Sequence, residues 1–217
     1  MEPGHDREAH GFLGRTCLST RIPVYERIAD ILLRLRITHA LDCGCAYGVL
    51  VELLNSRGID AWGADLDDPE IRKYHGRLQL SKGKFYYGDI TTLNLDIPRT
   101  GSCLVVLDTL RYISEPQRLS QLGTEYIVIK EVTSNPVMRW LRRGEFDNRM
   151  YSPLNCAALF PEYKVAEVHT SRFIFKVTHP QPLTLSWLNL LPTYTLVLRR
   201  GSDLQRQADQ DFQRLSH

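Results

Sequence analysis

Apolar runs alternate with helix-patterned segments through the first 130 residues. Residues 23–36 put Ile28, Ile31, Leu32 and Leu35 at helical spacing behind Pro23, a good first-turn residue, and so predict a helix. Ala40-Leu41-Asp42-Cys43 reads as a short buried strand that ends in a glycine-rich turn. A second helix is predicted from Val49 to about Ser56, closed by Arg57-Gly58. Ala61-Trp62-Gly63-Ala64-Asp65 is the next strand, with an acid at its carboxyl end. The stretch from Pro69 to about Leu80 reads as a helix. Lys84-Phe85-Tyr86-Tyr87 is a third strand, ending at Gly88-Asp89-Ile90. Cys103 to Leu107 is a fully apolar fourth strand ending at Asp108, and Tyr126 to Ile129 is a fifth. Apolar strands separated by helices predict a parallel sheet covered on both faces.

The second half is less regular. Short helices are predicted over residues 136–143, with Val137, Trp140 and Leu141 on one face, and over 152–160. Tyr163 to His169, Arg172 to Thr178 and Thr193 to Arg199 read as strands. Residues 1–20 read as a flexible arm, and the tail 201–217 is polar, with a thin stripe of Leu204, Ala208, Phe212 and Leu215. There is no internal repeat, so residues 1–217 read as one domain.

Composition adds mostly exclusions. At 217 residues with 43% hydrophobic and 24% charged positions, the core is large enough to hold a preformed ligand pocket. A net charge of +2 makes no electrostatic case for nucleic acid or an acidic membrane. The five cysteines, Cys17, Cys43, Cys45, Cys103 and Cys156, form no paired CxxC units, which speaks against structural zinc. Reduced thiols in a cytoplasmic protein are the simple reading. His5 and His10 lie in the solvated arm, and no metal site is expected. The longest apolar stretch, Leu183 to Leu198, is short for a membrane span and is interrupted by Asn189 and Pro192.

The chemistry centres on Asp42-Cys43-Gly44-Cys45-Ala46-Tyr47-Gly48. Open parallel sheets bind ligands beyond the carboxyl ends of their strands, and this turn lies at such an end, before a helix N-terminus. A dinucleotide fingerprint needs G-x-G-x-x-G, but here the second position is Ala46 and the third is Val49. The turn instead resembles the first motif of class I S-adenosylmethionine-dependent methyltransferases: an acid, an apolar residue, then G-x-G-x-G, with Ala46 at the middle glycine. Such a replacement is tolerable where the backbone is not in a glycine-only conformation.

That resemblance implies a Rossmann-like three-layer α/β sandwich, with a mostly parallel seven-stranded sheet closed by an antiparallel C-terminal hairpin. It implies S-adenosylmethionine as cofactor, with Gly44, Cys45, Ala46 and Gly48 against its methionine part and Asp42 supporting them. Asp65, with Leu66 after it, falls where the family's carboxylate accepts both ribose hydroxyls. Asp89 would accept from the adenine amino group, and Ile90 would pack on the ring. Asp108 falls where acceptor and cofactor meet. Each of these acids also fits a helix N-cap. Cys45 reads as a small turn residue rather than a nucleophile, since no base stands near it in sequence.

The resemblance covers residues 24–130. The family's basic-Pro-Gly-Gly turn before the fifth strand is replaced by Leu122-Gly123-Thr124-Glu125, and Pro116 leaves room only for a small helix there. The expected function is methyl transfer to a small-molecule acceptor, hydrophobic or sugar-type. The alternative is a non-catalytic scaffold that binds the cofactor or a protein. An adenine-type Asn/Asp-Pro-Pro-aromatic motif is absent, since Asp108 is followed by Thr109-Leu110-Arg111. Residues 131–160 are expected to be a substrate-side insertion. Tyr25, Tyr112, Trp140 and Tyr151 are candidate pocket walls, and His169 and His179 candidate bases.

Overall fold

Burial on both sheet faces turns the apolar runs into strands. In the computed structural model, residues 22–75, 84–92, 95–132, 151–170, 174–176 and 193–201 are described, the three at 174–176 by backbone alone. Helix α1 covers residues 22–34, close to the predicted 23–36. Then follow β1 (His39–Cys43), α2 (Val49–Ser56), β2 (Asp60–Asp65), α3 (Pro69–His75), β3 (Phe85–Tyr87) and β4 (Ser102–Leu107). Two 3-10 turns, Leu110–Tyr112 and Pro116–Leu122, replace a full helix before β5 (Tyr126–Val132). Helix α4 (Pro153–Ala158), β6 (Tyr163–His169), β7 (Ile174–Lys176) and β8 (Thr193–Arg200) complete the described elements. The predicted arm 1–20, the helix over 136–143 and the tail stripe lie outside the described residues. So do Cys17, Trp140 and His179.

The strands form one sheet in the order β3-β2-β1-β4-β5-β8-β6-β7. β1 to β5 pair in parallel, and β8 runs antiparallel between β5 and β6. The antiparallel C-terminal arrangement is the expected one, with three-residue β7 added at the outer edge. Strand order reverses between β1 and β4, which is where an open α/β sheet offers its ligand crevice.

Successive residues of each strand face opposite layers. Ala40, Cys103, Val105, Val128 and Val197 pack under α1 and α2, against Ile28, Leu32, Leu50 and Leu54. Leu41, Leu104, Val106, Ile127, Ile129 and Leu196 pack on the other face, with Leu119, Cys156 and Phe160. Helix α4 therefore contributes to the core. Of the region read as an insertion, residues 131–132 belong to β5 and residues 153–160 contain α4. The described cysteines are free and buried.

Strand β6 carries an irregularity between Val165 and Glu167. Val165 pairs with Leu198 but Glu167 with Val197, so one extra residue resets the alternation. Glu167 thereby turns to the α1 face, where Arg34 grips it with both guanidinium nitrogens, Nη1 at 2.6 Å.

Asn55 ties α2 to β2. Its Nδ2 donates to the carbonyls of Val51 (2.8 Å) and Ala61 (2.9 Å). Asn55→Ala removes both bonds, and urea unfolding should show a loss of about 1–2 kcal/mol. An unchanged midpoint would mean that the bridge contributes nothing.

Candidate cofactor site

The turn after β1 is held from three directions. Gly44 and Cys45 donate their amides to the Ala64 carbonyl (2.8 and 3.2 Å), which locks the turn to the end of β2. The Ala46 amide donates to Asp65 Oδ2 at 2.6 Å, and Leu66 donates to Asp65 Oδ1 at 2.8 Å. His75 Nε2 donates to the Ala46 carbonyl at 2.7 Å, so Nδ1 accepts from the Tyr87 hydroxyl at 3.0 Å. The His75 ring stacks on Phe85, centroids 3.7 Å apart. Burial lowers the His75 pKa, with the Ala46 bond acting the other way.

These bonds explain how an alanine sits in the turn. Ala46 has φ +44, in the left-handed region. An L-residue there is strained by about 1–2 kcal/mol, and both of its backbone polar groups are paired in compensation. Gly44 has φ +76, and a Cβ on it would meet Thr109 Cγ2 at 2.3 Å. A close approach of β1's turn to β4's loop therefore requires glycine here. Cys45 packs its sulfur over Gly63, where an added Cβ would meet it at 2.6 Å. Burial raises the Cys45 thiol pKa and the Asp42 and Asp65 charges raise it further. Cys45 thus packs against β2 with its thiol pKa held above the usual value.

Asp42 is 4% exposed, in register with Gly63 on β2 and Val105 on β4. Burial pushes its carboxyl up to about 7, and the Asp65 charge adds to the rise. Asp42, Asp65 and Asp89 all act on the thiol of Cys43. The Asp42, Asp65 and Asp89 carboxyls therefore gather around the carboxyl end of β1, beside a helix start.

The other expected residues take varied positions. Leu66 is exposed directly after Asp65. Asp89 is exposed, and its Oδ1 accepts from the Thr91 amide (2.9 Å) and hydroxyl (2.8 Å). Those bonds hold its pKa below the usual carboxylate range. This is the cap-like reading of Asp89, and it leaves Oδ2 outside the turn. Ile90 is buried with the core cluster beneath. Asp108 ends β4 with φ +57, and its Oδ2 accepts from Lys130 Nζ at 2.5 Å. Its Oδ1 is buried without a hydrogen-bond partner among the described residues. Tyr112 is 72% exposed, while Tyr25 and Tyr151 are half-buried.

Lys130 and Glu131 were not singled out from the sequence. Glu131 is buried and accepts from the Leu110 amide at 3.0 Å. Burial, then the Asp108 charge, pushes it up to about 7. Their signal was a Lys-Glu pair interrupting the apolar run of β5. Thr109 and His75 carried no such signal, because their roles arise from contacts across the fold.

No known family model and no curated protein sequence matches this chain. Solved structures do. The chain is similar to a magnesium protoporphyrin IX methyltransferase from Synechocystis PCC 6803 with S-adenosylhomocysteine bound, at TM-score 0.58 and 15% identity, over 82% of this chain and 83% of that one. It is similar to the structure described as a complex of a methyltransferase with the Trm112 activator of Haloferax volcanii, at TM-score 0.63 and 16% identity, over 92% and 99%. It is also similar to an S-adenosylmethionine-dependent methyltransferase of Clostridium acetobutylicum ATCC 824, at TM-score 0.61 and 13% identity, over 88% and 99%. The fold is the Rossmann-like fold of class I methyltransferases.

Two outcomes are expected from this geometry. Gly44→Ala should lower stability by about 2 kcal/mol in thermal or chemical unfolding, since the Cβ collides with Thr109 at a positive φ. Asp42 carries a proton in the folded state that the unfolded chain, at 3.8, has released. Its contribution to stability is thus highest at low pH and is lost as pH rises from about 4 to about 7. Asp42→Asn should flatten that part of the profile and exceed wild type at pH 8 by at least ~1 kcal/mol. Parallel profiles for the two proteins would refute the assignment.

Proposed function

We propose that this protein is an S-adenosylmethionine-dependent methyltransferase acting on a small-molecule acceptor. The observation that carries this reading is the buried Asp42 carboxyl under the turn, with Asp65 beside it. A dinucleotide turn needs a small residue at its third glycine position, where Val49 stands. S-adenosylmethionine brings a sulfonium and an ammonium, which the neighbouring carboxyls attract in their charged form. The methyltransferases among the structural neighbours support the choice.

In this reading Gly44, Cys45, Ala46 and Gly48 lie against the methionine part. Asp65, already fixed by two backbone amides, retains a lone pair on each oxygen for the ribose hydroxyls. Exposed Leu66 and the Asp89–Ile90 segment flank the base. Asp108 stands at the acceptor side, oriented by Lys130. When bound, the cofactor supplies an electrophilic methyl carbon; the protein contributes alignment and exclusion of water.

Isothermal calorimetry tests this directly. S-adenosylmethionine should bind, and Asp65→Ala should weaken it at least tenfold, the loss of a charged two-point hydrogen bond. Binding should also release protons near pH 7, because a cation beside Asp42 favours its charged form. The released fraction is read from the heat in buffers of different ionisation enthalpy. Absence of heat with S-adenosylmethionine and S-adenosylhomocysteine would sink the proposal.

A further inference from the structure

The loop after β4 is fastened to β5 at three points. The Asp108 amide donates to the Lys130 carbonyl at 2.8 Å, the Asp108 carboxylate accepts from Lys130 Nζ at 2.5 Å, and the Leu110 amide donates to Glu131 Oε1 at 3.0 Å. The first two points lie before Thr109 and the third lies after it, so Thr109 is gripped from both sides. Its Oγ1 donates to the Leu107 carbonyl at 2.9 Å, which fixes the side chain. That side chain is the nearest group a Cβ on Gly44 would meet. Residues 108–110 thus form a bridge: Glu131 holds one end, and the middle rests on the turn after β1.

Glu131 is 3% exposed, in register with Tyr194 of β8. A carboxyl at that depth is unfavourable, and an apolar residue of similar size would fill the space without the penalty. What the carboxyl adds is an acceptor for a buried amide. Leu110 opens a 3-10 turn, where the N–H has no partner within the turn itself. The bond also braces Asp108, whose φ of +57 is a left-handed state that persists only where its surroundings over-determine it. Charged and titratable groups surround Glu131 on every side: Asp108 and Arg111 from the loop, Lys130 on its own strand, Cys156 of α4 and Tyr194 of β8. Arg111, the Leu110 amide and Lys130 favour its charged form, against burial and Asp108.

We infer that Glu131 is a positioning residue for the cofactor site: by holding the Leu110 amide it keeps Thr109 seated on Gly44, and so sets the shape of the turn after β1. This rests on the methyltransferase reading for the word cofactor, though not for the coupling of Glu131 to the turn. Two strand spacings, roughly 10 Å, separate β5 from β1. Glu131 therefore acts through the loop and not by contact with the bound molecule.

Two variants of the full chain test this. Glu131→Met keeps the length of the side chain and removes the acceptor, while Glu131→Gln keeps an acceptor oxygen without the charge. S-adenosylmethionine affinity, read by calorimetry, should fall about tenfold in Glu131→Met and return to within about twofold of wild type in Glu131→Gln. In ¹H–¹⁵N amide spectra without ligand, Gly44 should move in Glu131→Met and stay in place in Glu131→Gln. The wild-type Leu110 amide should also move as Glu131 ionises near pH 7, and that movement should vanish in Glu131→Gln. A role in packing alone would give no such rescue. If Glu131→Met does not fold, Asp42→Asn decides, since it lacks the turn's own carboxyl that titrates near 7; its Leu110 and Gly44 amides should follow one pH curve. Wild-type affinity in Glu131→Met, no recovery in Glu131→Gln, or an unmoved Gly44 amide overturns the inference. Wild type that gives no heat with S-adenosylmethionine removes the methyltransferase reading alone, and the Gly44 amide then decides the coupling.

Discussion

Ala46 sits at the point on which the candidate site depends. Its amide is taken by Asp65 and its carbonyl by His75. One bond fixes the Asp65 carboxylate, the other ties the turn to α3 and, through Tyr87 and Phe85, to β3. The left-handed backbone at this residue is an unfavourable state that persists because both bonds over-determine it. The turn, the end of β2 and the third strand thus behave as one unit. The buried carboxyl of Asp42 lies beneath that unit, and burial pushes its pKa up to about 7.

The strands were legible because both sheet faces are buried, which leaves continuous apolar runs with little competing signal. Glycine and acid positions were legible because close backbone approach and strand-end chemistry restrict residue type locally. Asp65 and Gly44 fall in that group, one at the end of β2 and the other directly after β1. Ala46 was less readable. It looked like a tolerant position, yet it adopts a glycine-favouring conformation held by residues far along the chain.

What escaped the sequence depends on long separations. Arg34 meets Glu167 across 133 positions, and no local pattern announces that pair. Lys130 reads as the polar end of an apolar strand until Asp108 is brought beside it. His169 reads in sequence only as a titratable residue, and its bond to Glu167 appears only with the fold. The β5–β8–β6 side of the sheet is built from such tertiary relations, whereas the turn after β1 is set by local residue types. That difference is why the turn was more legible in the sequence than the far side of the sheet.

The extra residue in β6 has an evolutionary consequence. Between Val165 and Glu167 the strand changes which side of the sheet its odd positions face. The odd positions after that point, Glu167 and His169, owe their placement beneath α1 to chain length rather than to side-chain identity, while Val168 faces the other layer. A single-codon deletion upstream of Glu167 would carry an acid and an imidazole into the opposite apolar layer and hand α1 a different set of neighbours. A length change in this strand would therefore re-face Glu167 and His169 while leaving the Asp42–Gly48 turn untouched.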